Sequence, residues 1–100
     1  AGGDTNPYLV MAAILGSALL GIEKKLTPIN PVMNNAYNNN AENLALNWED
    51  AINYFENNKE IKQIFSNQLI ENLVRTKRQE LNKFKKIESK KHWKYYVAAI

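Results

Sequence analysis

The sequence predicts an all-α chain, and three observations carry that prediction. No segment alternates apolar and polar residues with period two; the apolar positions recur instead at spacings of three and four. Residues able to cap a helix, Asn6, Asn47 and Ser66, stand immediately before the apolar runs. Pro28, Pro31 and the Asn-rich stretch 34–43 fall where helices must stop. The chain then reads as one helical segment over 1–100, with helices at about 6–26, 47–57, 60–65, 66–88 and 90–98 and an irregular loop at about 27–46.

The first helix has a marked start and almost no polar face. The side-chain oxygen of Asn6 is placed to accept from a free backbone amide one turn in, and Pro7 occupies the first helical position, where its missing N–H costs nothing. From Pro7 to Ile22 the only polar side chains are Ser17 and the phenol of Tyr8. Each large apolar side chain left wet there would forgo about 1.5–3 kcal/mol, so the helix is built to be covered. Gly16, Ser17 and Gly21 interrupt the apolar run. A bilayer is a poor cover: a span needs about 20 apolar residues, and this run is shorter and interrupted. Asp4 precedes it and Glu23-Lys24-Lys25 follow it, the reverse of a signal peptide's charge order. The expectation is a buried helix and no membrane partner.

Thr27-Pro28-Ile29-Asn30-Pro31 ends this helix, since each Pro disfavours helix in the residue before it. Tyr37 is the one large anchor of the Asn-rich loop. In the second helix Asn47 caps, Glu49 and Asp50 suit the dipole, and Ala51, Ile52 and Phe55 form the apolar side. Asn57-Asn58 ends it, and Ile61, Ile64 and Phe65 belong to a short helical turn. After Ser66, the residues Ile70, Leu73, Val74, Leu81, Phe84 and Ile87 form a stripe of period near 3.6. Lys77 lies on that stripe, with its stem packed and its ammonium in water. The chain closes on Trp93-Lys94-Tyr95-Tyr96-Val97-Ala98-Ala99-Ile100, apolar enough to dock.

The net charge of +3 is uneven. Up to Val74 there are four Lys against eight acids; from Arg75 onward nine Lys or Arg face only Glu80 and Glu88. Those cations recur at helical spacing between apolar positions, which reads as a solvated outer face. The alternative is a small basic helical module that binds nucleic acid or a protein partner, and its binding would weaken steeply with salt. No Cys is present, which leaves no disulfide framework and no thiolate zinc site and fits a cytoplasmic location. Ala1 rather than Met opens the chain, followed by Gly2-Gly3, so it reads as a processed product or an excised piece.

Reactive groups are sparse. His92 is the single His and sits among surface lysines, with no second His or Cys beside it. Glu49 and Asp50 are neighbours on a helix and point about 100° apart, so they form no dyad. Ser17 and Ser66 have no base beside them in sequence. Ala1-Gly2-Gly3-Asp4 matches neither a P-loop nor a dinucleotide fingerprint and reads as a tight turn into the cap. The sequence therefore assigns no catalytic, cofactor-binding or metal-ligating residue, and singles out Asn6, Pro7, Tyr8, Gly16 and Gly21 as structural.

Three blocks carry a resemblance: Asn6-Pro7-Tyr8-Leu9 with the small and apolar residues after it, Gly21-Ile22-Glu23-x-Lys25-Leu26-x-Pro28, and Pro31-Val32-x-x-Asn35-Ala36-Tyr37. In this order, with Trp48-Glu49-Asp50-Ala51, Lys77-Arg78-x-Glu80 and Tyr95-Tyr96 behind them, they resemble the C-terminal region of the glutamine synthetase family. The resemblance implies the helical C-terminal part of an α+β catalytic domain, inactive alone. It also implies a parent enzyme that uses ATP and two divalent ions (Mg or Mn) to phosphorylate the γ-carboxylate of glutamate, after which ammonia or an amine displaces the phosphate. The implied partners are the remainder of that domain and further copies in a ring-shaped homo-oligomer. The family's metal ligands and its Arg-x-Glu-x-Arg strand lie upstream of the matching region, so none is carried onto this chain. The first helix would pack under the catalytic sheet. Lys90-Lys91 and Trp93 depart from the family's usual Trp-Glu before its last tyrosine. The stretch from Gly21 to Tyr37 is similar to γ-glutamyl-polyamine ligases as well as ammonia-using members, so the amine stays open.

Overall fold

Three helix starts follow directly from short polar side chains. Asn6 Oδ1 accepts from the amides of Tyr8 (3.0 Å) and Leu9 (3.2 Å), opening α1 (Pro7–Glu23). Asn47 Oδ1 accepts from the Asp50 amide at 2.8 Å while its Nδ2 donates to the Asp50 carboxylate at 2.7 Å, opening α2 (Trp48–Asn57). Ser66 Oγ accepts from the Leu69 amide at 3.3 Å and starts α4 (Asn67–Phe84). Between α2 and α4 lies the single turn α3 (Ile61–Ile64), whose first amide is taken by Asn58 Oδ1 at 2.9 Å. A 3₁₀ turn (Ser89–Lys91) and α5 (Lys94–Val97) complete the order. This computed structural model describes residues 5–35, 37 and 44–97, with the backbone alone at 95 and 96. The turn at 1–4, residues 38–43 of the Asn-rich loop, the Tyr95-Tyr96 side chains and the last three residues of the apolar end lie outside the described residues. All elements among the described residues are helical.

Helix ends depart from the sequence expectation, and the reasons are local. The first helix stops at Glu23 rather than near 26, ahead of Pro28. Lys25 takes a left-handed backbone (φ 51°), its amide donates to the Ile22 carbonyl (3.1 Å), and the Leu26 amide donates to the Gly21 carbonyl (3.0 Å). This is the Schellman arrangement, with Lys where glycine is usual. An L-residue pays about 1–2 kcal/mol for that conformation. Glycine relieves it but adds freedom to the unfolded chain. Lys25→Gly is therefore expected to raise stability by about 0.5–1 kcal/mol, read as a higher thermal midpoint by circular dichroism. The fourth helix ends at Phe84 rather than near 88, because the backbone tightens: the amides of Lys86 and Ile87 donate three residues back, to Lys83 (3.2 Å) and Phe84 (3.0 Å). In place of one helix over 90–98 there are two single turns with a break at His92 and Trp93.

The core is small. Ile52, Phe65, Ile70 and Val74 form the buried cluster, with Trp48, Phe55, Ile61, Ile64, Leu69 and Leu81 packed around it. Phe84 is buried beside it, its ring 5.7 Å from Trp48. The cluster thus lies along the α2–α4 seam and under α3, which is where the stripe read from the sequence points. Arg78 clasps both carboxylate oxygens of Glu56 and also donates to Asn53 (3.2 Å), and Lys85 reaches Glu49 (3.0 Å), so ion pairs flank the seam. Exposed pairs of this kind add at most about 1 kcal/mol each; they fix register more than they stabilise. Lys77 behaves as its place on the stripe predicts, half-buried with its ammonium on Glu80 at 2.9 Å.

One expectation about an anchor fails. Tyr37 is 97% exposed and anchors nothing, and among the described residues the cluster takes none from the loop between α1 and α2. Of the apolar end, Trp93 and Val97 are exposed. The Cα radius of gyration is 16.5 Å, against about 13 Å for a compact domain of this length. Sixteen large hydrophobic side chains stand exposed among the described residues against five buried ones, so the chain does not enclose its own apolar surface.

Candidate functional site

The candidate site is α1 itself, and its geometry follows from how one side of it is held. Leu9, Ala13, Gly16 and Leu20 recur at spacings of four, three and four and make the half-buried inner side. Gly16 lies against Ile64 of α3: a Cβ built on it would come within 2.5 Å of Ile64 Cγ2. At the C-terminal cap of the helix, Lys24 Nζ donates to Glu60 Oε1 at 3.0 Å. That hydrogen bond, with the Lys24 charge, holds the Glu60 carboxyl below its ordinary range. Because the folded-state value is depressed, the pair's contribution is present above the ordinary carboxylate range and fades as pH falls through the folded-state value. Toward its N-terminus α1 leaves a groove of about 520 Å³ against α2 and α4, lined by Leu9, Val10, Ala13, Phe55, Leu73 and the stem of Lys77, among others. Thr5 brings the only hydroxyl to that lining and Lys77 the only charge.

The outer side of α1 is bare. Tyr8, Met11, Ile14, Leu15, Leu19 and Ile22 are between 56% and 84% exposed. Of the residues singled out from the sequence, Asn6 and Pro7 set the helix start and Gly16 makes the close contact expected of a small residue. Tyr8 points outward, and a Cβ at Gly21 would meet nothing within 4 Å, so these two gain no packing role within the chain. The structure does not gather the five into one constellation. Ile64, the knob that meets Gly16, was legible as part of a short helical turn but its contact was not; only the fold brings residues this far apart in sequence together.

Reactive groups elsewhere do not converge either. Among the described residues no group of three or more His, Cys, Asp or Glu is placed to hold a metal ion. His92 departs from the surface role expected of it: its ring is half-buried, packs on Phe84 (4.7 Å between centroids) and lies 3.0 Å from the Ile87 carbonyl. Of the nine cations after Val74, Arg75, Lys77, Arg78, Lys85 and Lys91 face carboxylates within 4 Å. No described helix is long and apolar enough to cross a membrane.

A family model described as glutamine synthetase, catalytic domain, matches residues 1–96. The chain belongs to the glutamine synthetase family. It is 43% identical over 79 residues to a glutamate–isopropylamine ligase of Pseudomonas sp, a match covering 76% of this chain and 17% of that protein. A γ-glutamylethanolamide synthetase of Streptomyces coelicolor is 31% identical over 83 residues (83% of this chain, 18% of that protein). A glutamine synthetase of Sulfolobus acidocaldarius is 33% identical over 86 residues (77% and 18%). The chain spans less than a fifth of the length of each. No solved structure matches it significantly.

Proposed function

We propose that this chain is the C-terminal helical part of an ATP-dependent ligase that joins the γ-carboxylate of glutamate to ammonia or a small amine, and that it serves there as support. The observation that carries the reading is the uncovered outer side of α1, in a chain whose family match is to a catalytic domain. In such a ligase the remainder of the domain covers that side, and the capped N-terminus of α1 buttresses the strand that carries the reacting groups. Displacing a reacting group by about 1 Å can cost about a hundredfold in rate, so a support held by Asn6, Gly16 and the Lys24–Glu60 pair bears on turnover without touching substrate. ATP and the two divalent ions would be held by residues outside this chain. The ion-paired basic half supports an outer surface of such an enzyme, in a ring-shaped homo-oligomer in the cytoplasm, better than a nucleic-acid face.

The amine is read from relatives: ligases named for isopropylamine and ethanolamide stand beside glutamine synthetases. Grafting this chain in place of the matching segment of the Pseudomonas ligase tests the reading. The graft is expected to be soluble and to consume ATP only with glutamate and an amine, whereas the chain alone consumes none. Assays with isopropylamine, ethanolamine and ammonia then show whether the grafted segment leaves amine choice unchanged, as a supporting role requires. Nucleotide turnover by the chain alone, or an inactive graft, would refute it.

A further inference from the structure

The ion pairs of the basic half are unevenly spread. Arg75, Lys77, Arg78 and Lys85 each face a carboxylate, and Lys91 faces Glu88. Lys86, Lys90 and Lys94 are exposed and lie within 4 Å of no carboxylate among the described residues. All three belong to the turn that follows α4, which is held to the end of that helix by His92. Its ring packs on Phe84 (4.7 Å between centroids) and lies 3.0 Å from the Ile87 carbonyl. Just beyond, Trp93 and Val97 are 59% and 64% exposed. The Val97 amide donates to the Trp93 carbonyl at 3.2 Å, so the two side chains stand one helical turn apart on the same side. Lys94 Nζ lies 5.7 Å from the centre of the Trp93 ring. An exposed aromatic and aliphatic pair among unpaired ammonium groups suits a partner that is both anionic and partly apolar.

We propose that this turn docks on an anionic lipid surface. Trp93 and Val97 enter at the level of the headgroups, and Lys86, Lys90 and Lys94 meet the lipid charges. Charge complementarity carries the choice of partner: residues 83–94 hold six Lys against the single acid Glu88, and a cluster of about four to eight such cations is what anionic lipid attracts. Nucleic acid fits less well. The two Arg of the chain, whose planar fork suits phosphates and base edges, are engaged, Arg75 with Glu71 and Arg78 with Glu56. Val97 adds an aliphatic surface that acyl chains accept and base stacking does not use. No described helix is long and apolar enough to cross a bilayer, and this contact needs none, because the chain rests on the surface. The turn lies on other elements than the bare side of α1, so the ligase reading and its failure leave the docking untouched.

Sedimentation with vesicles tests it. The purified chain is expected to bind phosphatidylcholine vesicles that hold about a third phosphatidylserine at least about tenfold more tightly than phosphatidylcholine alone, and to lose that preference between about 0.1 M and 1 M salt. Lys86→Gln, Lys90→Gln and Lys94→Gln combined are expected to weaken binding to the anionic vesicles about a hundredfold, at about fivefold for each lysine. Helical circular dichroism should stay the same, because all three side chains are exposed. In a Trp48→Phe chain Trp93 is the sole Trp, and its emission is expected to shift to the blue on the anionic vesicles. Equal binding to both vesicles, unchanged by the lysine substitutions, would give the contact to the bare side of α1 and overturn the proposal. So would an absence of binding, or Trp93 emission that stays put while the chain is on the vesicles. An equal loss from Lys59→Gln with Lys62→Gln, exposed cations elsewhere, would reduce the effect to net charge and overturn the placing. A single-stranded oligonucleotide bound more tightly than the vesicles, with Trp93 quenched, would hand the surface to nucleic acid.

Discussion

Gly16→Leu is expected to unseat α1 from α3, seen as a lower thermal midpoint and a lower soluble yield. The first added atom already has no room: a Cβ at Gly16 would lie 2.5 Å from Ile64 Cγ2 and 2.9 Å from Cγ1. Both atoms are bonded directly to the Cβ of a β-branched residue, whose rotamer is stiff, so they cannot swing aside as the end of a long side chain would. Nor can Ile64 retreat easily, since the next residue, Phe65, is buried in the core cluster. Overpacking of this kind costs about 1–3 kcal/mol. The better helix propensity of Leu returns at most about 1 kcal/mol, leaving a net loss of up to about 2 kcal/mol. Combining the change with Ile64→Ala should recover part of it, and strict additivity would show that the two side chains do not meet. Gly21→Ala is the control. Its Cβ has open space, so the same chemistry in the same helix is expected to stabilise by about 0.5–1 kcal/mol.

That contrast shows what the sequence could and could not disclose. Asn6, Asn47 and Ser66 cap as read, because a cap is settled within three residues of chain. The α4 stripe was legible for a similar reason: Ile70, Val74 and Phe84 share a face whatever lies opposite, and each is buried. Gly16 and Gly21 look alike in sequence, yet only one meets a neighbour, and that neighbour sits 48 positions away (64 less 16). Lys25 carries no sign of its left-handed turn, because the hydrogen bonds that hold it there outweigh its own preference. Arg78 and Glu56 are 22 positions apart and meet only because α2 packs along α4. Of the candidate site, the oily circumference of α1 was plain from the start, but which side this chain covers was not. That is decided by α3, a turn of four residues that presents Ile64 to one side of the helix.

Phe84→Ala is expected to have the largest effect of any single change on this fold. The ring is buried where three pieces of chain meet: Trp48 at the start of α2 (5.7 Å), the end of α4 that carries it, and His92 after the 3₁₀ turn (4.7 Å). Truncating a buried Phe costs about 3–5 kcal/mol through lost transfer energy and the cavity left behind. A domain of this length has about 5–15 kcal/mol in all, and a core of five buried side chains belongs at the low end of that range. The variant should therefore lose most of its cooperative unfolding transition, with the near-ultraviolet signal of Trp48 collapsing before the far-ultraviolet helix signal. His92→Ala removes one ring contact only and is expected to cost about 0.5–1.5 kcal/mol, leaving the transition intact. The order of the two effects is the discriminating result. If His92→Ala destabilised as much as Phe84→Ala, the C-terminal turn would be part of the core, and Phe84 would not be the residue that joins it to α2.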